Sequence, residues 1–168
     1  MSLSRRSFIH TRAPPGAAWP LAVRGWQAAP GTETGIFRHG VASGDPLTDR
    51  VMLWTRVTPR AGHSDSRPLD VRWQVASDEK MSNIVGRGTA QAAAERDFTV
   101  KVDAGNLKPG ATYYYSFDTG GEKSPVGRTK TLPVRGAQRL RLAQVSCSNY
   151  PTGYFNVYRC LANRPDLD

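Results

Sequence analysis

The chain has 168 residues, 39% of them hydrophobic, and a formal net charge of +9, a length that holds one domain of the commonest size plus shorter flanking segments. The charge excludes less than it suggests, because Arg5, Arg6, Arg12 and Arg24 lie in the first 30 residues without an acidic partner, and subtracting those four leaves +5 scattered over the remainder. No cationic stripe with interleaved aromatics occurs, so nucleic-acid binding is not expected, and no window reaches the ~20 apolar positions of a membrane-spanning helix, so no transmembrane segment is expected.

Residues 1–34 read as an export segment. Ser4-Arg5-Arg6-Ser7-Phe8-Ile9 resembles the twin-arginine signal by which bacteria export folded proteins through the Tat translocon. Arg5 and Arg6 are then the signal residues, and an exported, periplasmic or extracellular location follows. The pattern departs from that signal beyond Ile9. An apolar stretch of roughly 7 to 15 residues belongs there, and Arg12, Pro14, Pro15, Pro20 and Arg24 interrupt it. An ordinary basic tail is the competing reading.

Residues 35–136 read as one all-β domain. In Phe37-Arg38-His39-Gly40-Val41-Ala42-Ser43-Gly44-Asp45-Pro46, the glycines and Asp45-Pro46 suggest a tight turn between first strands, since no Gly-Lys helix start follows to make a phosphate-cradling loop. Val51, Leu53, Thr55 and Val57 face one way and Met52, Trp54 and Arg56 the other, which predicts a half-buried strand. The Gly- and Ser-rich stretch from Pro59 to Pro68 is a loop, and Asp70 to Ala76 alternates as a second strand. Met81 to Ile84 and Ala90 to Glu95 read as short helical or connecting pieces, and Thr99 to Val102 as another strand. Leu107-Lys108-Pro109-Gly110-Ala111-Thr112-Tyr113-Tyr114-Tyr115 looks like a fibronectin type III corner, where a tyrosine hydroxyl bonds back to upstream backbone; Tyr113 is the candidate, with Tyr115 and Phe117 continuing its face. Trp54, Trp73, Tyr113 and Tyr115 are the candidate core aromatics. Asp118 to Glu122 makes a hairpin turn and Val126 to Leu132 the last strand. Short strands separated by turns predict a mostly β fold, an antiparallel β-sandwich of the fibronectin III or Ig-like kind. His39 and His63 stand on separate segments without ligand spacing and read as surface or turn histidines, and no Ser, His and Asp set stands in a recognisable catalytic context.

Residues 137–168 change character. Leu140, Leu142 and Val145 alternate with Arg141 and Gln144 and lead into Ser146-Cys147, so a strand is expected to end at the thiol, the kind of position where active-site groups of α/β proteins cluster. Tyr154, Val157, Tyr158 and Leu161 are spaced as one apolar helical face, Asn163-Arg164-Pro165 ends that helix, and Asp166-Leu167-Asp168 reads as the start of the next strand. From the residues alone, Cys147 is either a small buried hydrophobe or a metal ligand. Cys160 reads as a packed helix residue. A bridge between the two is not expected, because a strand end and the following helix do not hold Cα atoms within about 7 Å.

Several of these blocks together resemble the PhoD-like alkaline phosphatases, secreted bacterial metallophosphoesterases. The resemblance is carried by Phe37 to Pro46, Val51 to Arg56, Ser146-Cys147-Ser148-Asn149-Tyr150, Gly153-Tyr154-Phe155-Asn156, Leu161-Ala162 and Asp166-Leu167-Asp168. It implies that residues 35–136 are the family's amino-terminal sandwich and 137–168 the first strand and helix of its α/β metallophosphatase domain, carried here only in part. It also implies that Cys147 is a thiolate ligand of Fe3+ in a cluster completed by Ca2+, acting on phosphate-ester substrates as a phosphatase or phosphodiesterase. The Gly-Asp-Tyr motif and the later Asp, Asn and His ligands of the family do not occur in this chain, so residues 1–168 alone are not expected to be catalytically competent. The alternative is a stand-alone β-sandwich acting as a binding or adhesion module. The strand, thiol and helix after Leu140 speak against it, since a lone sandwich has no use for them.

Overall fold

Strict side-chain alternation builds the first sheet. The computed structural model describes residues 35–64, 67–136, 139–147 and 156–168; residues 1–34, with Arg5 and Arg6, lie outside the described residues. Strand β2 (Val51–Arg56) places Val51, Leu53 and Thr55 inward with no exposed surface and leaves Met52, Trp54 and Arg56 half-buried, as a period of two requires. It pairs antiparallel with β1 (Val41–Gly44) on one side and β5 (Thr99–Ala104) on the other. The second sheet runs β4 (Ile84–Ala92), β3 (Leu69–Ala76), β6 (Thr112–Thr119), and β6 is bordered on its far side by both β7 (Glu122–Lys123) and β8 (Gly127–Lys130). All these pairings are antiparallel. The order 1-2-5 against 4-3-6-7/8 is that of a fibronectin III-type sandwich, with alternating inner-face residues of both sheets making one core.

That core joins Val51, Leu53, Val100 and Val102 from the first sheet to Val71, Val75, Tyr113, Tyr115 and Phe117 from the second, closed at its margins by Phe37, Val57, Phe98 and Leu107. Each fully buried apolar side chain of this size contributes roughly 1.5–3 kcal/mol. Three buried threonine hydroxyls are tied down. Thr55 Oγ1 donates to the Gly40 carbonyl (2.9 Å), Thr119 Oγ1 to that of Asp70 (2.7 Å) and Thr131 Oγ1 to that of Lys108 (2.7 Å). The expected corner is present: the Lys108 N–H donates to the Tyr113 hydroxyl at 2.8 Å. The expected hairpin is present too, with Gly120 (φ 58°) and Gly121 (φ 82°) as its two central residues and Thr119 paired with Glu122, the conformation of a type I′ turn. Gly127 is required for a different reason. A Cβ there would stand 2.4 Å from Tyr115 Cζ, so the buried ring passes where any other side chain would be.

Four expectations need correcting. The Met81–Ile84 and Ala90–Glu95 pieces flank and overlap a nine-residue strand, β4, with only Ala94–Arg96 forming a short 3-10 turn. Gly86, Gly88, Ala90 and Ala92 on its inward positions hid the strand, because such residues carry little strand propensity. Trp73 explains them: a Cβ on Gly88 would meet its indole at 2.7 Å. Trp54 is not a core aromatic, since it occupies the outer face of β2 between Ala42 and Lys101. The signature at 37–46 is not simply a turn: Gly40 (φ 67°) ends a turn, Val41–Gly44 is an edge strand, and the connection is the following loop with Asp45 at φ 45°. Lastly, Leu140 to Val145 do not form a strand. Residues 139–147 lack regular structure, and Leu140 and Leu142 are 61% and 74% exposed. Alternation prepares a strand, but a strand exists only where a neighbour takes its N–H and C=O groups. Here the backbone pairing is a bond from the Asp168 N–H to the Arg141 carbonyl at 3.1 Å.

Candidate functional site

Cys147 is the residue to which sequence reasoning attached chemistry. Its thiol is free and exposed, at the last described position before 148–155, which lie outside the described residues. Its backbone is left-handed (φ 58°), a conformation rare for residues other than Gly, Asn and Asp. Cys160 is also free and exposed, on helix α1 (Asn156–Ala162), which has no buried residue. The reading of Cys160 as a packed core residue is therefore wrong, because nothing covers that face of the helix among the described residues; Val157 and Tyr158 lie exposed on the same element.

No group of three or more His, Cys, Asp and Glu side chains converges among the described residues. One thiolate is not a metal centre, and these residues alone do not fit an iron and calcium cluster. Both histidines are used locally. His39 Nε2 contacts an Arg56 guanidinium that is paired with Asp97, and His63 Nε2 lies 2.7 Å from the Arg67 carbonyl with its ring edge-on to Phe98. The 37–46 signature likewise serves architecture: Phe37 is buried, the Gly40 carbonyl accepts from Thr55, and the loop after Gly44 accepts the Leu107 and Leu132 N–H groups at Asp49 and Leu47.

The carboxylates of the expected next strand are engaged rather than idle. Asp166 is held well below the usual carboxylate range, chiefly by the Arg164 guanidinium (2.6 and 2.8 Å) and also by Arg141 (3.1 Å). Asp168 is lowered by Lys130 and by the Arg141 N–H. Lys130 lies on β8, so this network ties the end of the chain to the sandwich. Sequence reading missed it, since nothing in the order of residues places Lys130 beside Asp168.

A sequence model of the PhoD-like phosphatase N-terminal domain matches residues 24–133, beginning upstream of Gly35 and ending with the last sandwich residues. The chain belongs to the PhoD-like phosphatase family. Alkaline phosphatase D of Bacillus subtilis (strain 168) is 44% identical over 140 residues, which cover 80% of this chain and 24% of that protein. The solved structure of PhoD matches with a TM-score of 0.72 at 43% identity, over 83% of this chain and 28% of that one. This chain thus spans about a quarter of the length of both family relatives. No helix among the described residues is long and apolar enough to cross a membrane.

Proposed function

We propose that this chain is the amino-terminal part of an exported bacterial alkaline phosphatase or phosphodiesterase, with residues 35–136 as the sandwich and 137–168 as the entry to the catalytic domain. The observation that carries the reading is the placement of Cys147: a free, exposed thiol on a left-handed turn, a short way beyond a sandwich of this family. In this reading Cys147 is one soft anionic donor to iron, and hard oxygen donors and calcium complete the cluster. The substrate is a phosphate ester. Arg5 and Arg6 address the chain to the Tat translocon, which suits an enzyme that folds before export. No hydrolytic step can be written from the described residues, and residues 1–168 on their own are inactive.

Two measurements test this. Purified residues 1–168 with added iron and calcium should not hydrolyse p-nitrophenyl phosphate above background; metal-dependent turnover would overturn the incomplete-site reading. In a protein carrying the whole catalytic domain, Cys147→Ala should remove bound iron, its visible thiolate charge-transfer absorption and the activity together. Cys160→Ala should leave all three. The reverse pattern would reassign the two thiols.

A further inference from the structure

Strand β8 carries two cations on its outward positions. Gly127 and Thr129 face the sandwich and Arg128 and Lys130 face away from it, as alternation requires. Among the described residues Arg128 binds carbonyls rather than a carboxylate. Its Nη1 donates to the Pro165 carbonyl (2.8 Å), and its Nη2 donates to the carbonyls of Arg164 (3.2 Å) and Leu167 (3.3 Å). These are main-chain acceptors in the irregular segment that follows helix α1. Lys130 pairs with Asp168, whose other oxygen accepts the Arg141 N–H (3.0 Å). One polar chain of contacts therefore runs from β8 through residues 164–168 to Arg141 and the segment that leads to Cys147.

Apolar packing at this docking is incomplete. Cavities of about 470 Å³ and 640 Å³ lie on either side of Arg128, the first lined by Ser43, Lys130 and Arg141 among others and the second by Tyr114, Val126 and Leu161. Val126 remains 48% exposed within the second. A planar guanidinium with fixed, diverging donors is suited to hold several carbonyls at once, whereas an ammonium acts as a point charge.

We infer that Arg128, seconded by Lys130, is a positioning clamp by which the sandwich fixes residues 164–168 and, through Asp168, Arg141. Its consequence for metal binding rests on the reading of Cys147 given above; the clamp itself does not. The test is amide hydrogen exchange on residues 1–168, which involves no metal. In Arg128→Met the amides of Asn163, Arg164, Leu167 and Asp168 should exchange at least tenfold faster, while those of β2, β3 and β6 keep their rates. Arg128→Lys keeps the stem and charge but loses the fork, and should give the same regional pattern at smaller amplitude. Unchanged exchange at 163–168 in Arg128→Met overturns the clamp. Equal acceleration across β2, β3 and β6 in both variants overturns it too, since Arg128 would then serve the sandwich. Failure of Cys147→Ala to lose iron would leave these exchange results standing, so the two ideas can fail separately.

Discussion

The sandwich and the segment beyond it both carry alternating apolar residues, with opposite results. In β2, Val51, Leu53 and Thr55 alternate with polar or half-buried positions and are sealed from solvent, paired on both sides by β1 and β5. Between Leu140 and Val145 the alternation is shorter, since Val145 falls out of phase with Leu140 and Leu142, and here the leucines stand exposed and no strand forms. The difference lies in partnership as well as pattern. Apolar periodicity says which face a segment would bury, whereas burial needs a second surface and a strand needs a hydrogen-bonding neighbour. In place of both, residues 164–168 have a polar attachment to β8 and hold Arg141 through Asp168.

The largest effect that separates the two regions is a core truncation. Leu53→Ala removes a side chain without exposed surface and should cost about 2–5 kcal/mol through lost transfer energy and the cavity left behind. Leu142→Ala, at 74% exposure, should stay within about 0.5 kcal/mol. Denaturant unfolding of both variants checks this; a comparable loss from Leu142→Ala would mean that residues 139–147 are packed after all.

Glycine gives the next contrast. Gly127→Ala drives a methyl to 2.4 Å from the buried Tyr115 ring, whereas a Cβ on Gly136 meets nothing within 4 Å. Overpacking of this kind costs about 3 kcal/mol or more when the neighbour cannot move, and Tyr115 is only 2% exposed. Gly136→Ala should be close to neutral. Thermal unfolding separates them, because about 1 kcal/mol moves the midpoint of a domain this size by roughly 4–8 °C. Tyr113→Phe should be smaller, about 1 kcal/mol, since it deletes one bond to the Lys108 N–H and leaves the ring in place.

These contrasts also mark what could be read from the chain. Strands β2, β3, β5 and β6, the Tyr113 corner and the 118–122 hairpin were legible because each rests on local periodicity or turn chemistry. Strand β4 was not, because its inward residues are small to make room for Trp73, a residue from another strand. The same limit applies near the candidate site. Cys147 could be singled out by its neighbours in sequence, but Arg128 and Lys130 acquire their role only through residues 36 to 39 positions away. A cation on an edge strand ordinarily reads as protection against aggregation.

The smallest contrast is a matter of pH. Asp166 and Asp168 have folded pKa values lowered from 3.8, Asp166 chiefly by Arg164 and Asp168 chiefly by Lys130, with Arg139 and Arg141 also facing the pair. Groups depressed on folding stabilise at pH above their unfolded value, and that contribution disappears as pH falls through the folded values. Attachment of 163–168 should therefore be unchanged from pH 7 to 5 and weaken below about pH 4, where the unfolded carboxylates begin to take up protons. Salt should weaken it in the same direction, because the partners are solvent-exposed and the screening length falls from about 10 Å at 0.1 M to about 3 Å at 1 M. The sandwich has exposed pairs of its own, Arg56 with Asp97 and Arg60 with Glu122, whose carboxylates are likewise lowered. Its core is apolar, however, with threonines and a serine as the buried polar residues among those described, so its cooperative unfolding should persist under conditions that free the segment. Amide exchange corrected for intrinsic rates, at pH 7, 5 and 3 and at low and high salt, measures both regions in one sample. If acid and salt accelerate the strands of the sandwich and residues 163–168 together, the two regions form one cooperative unit and the proposed difference between them is wrong.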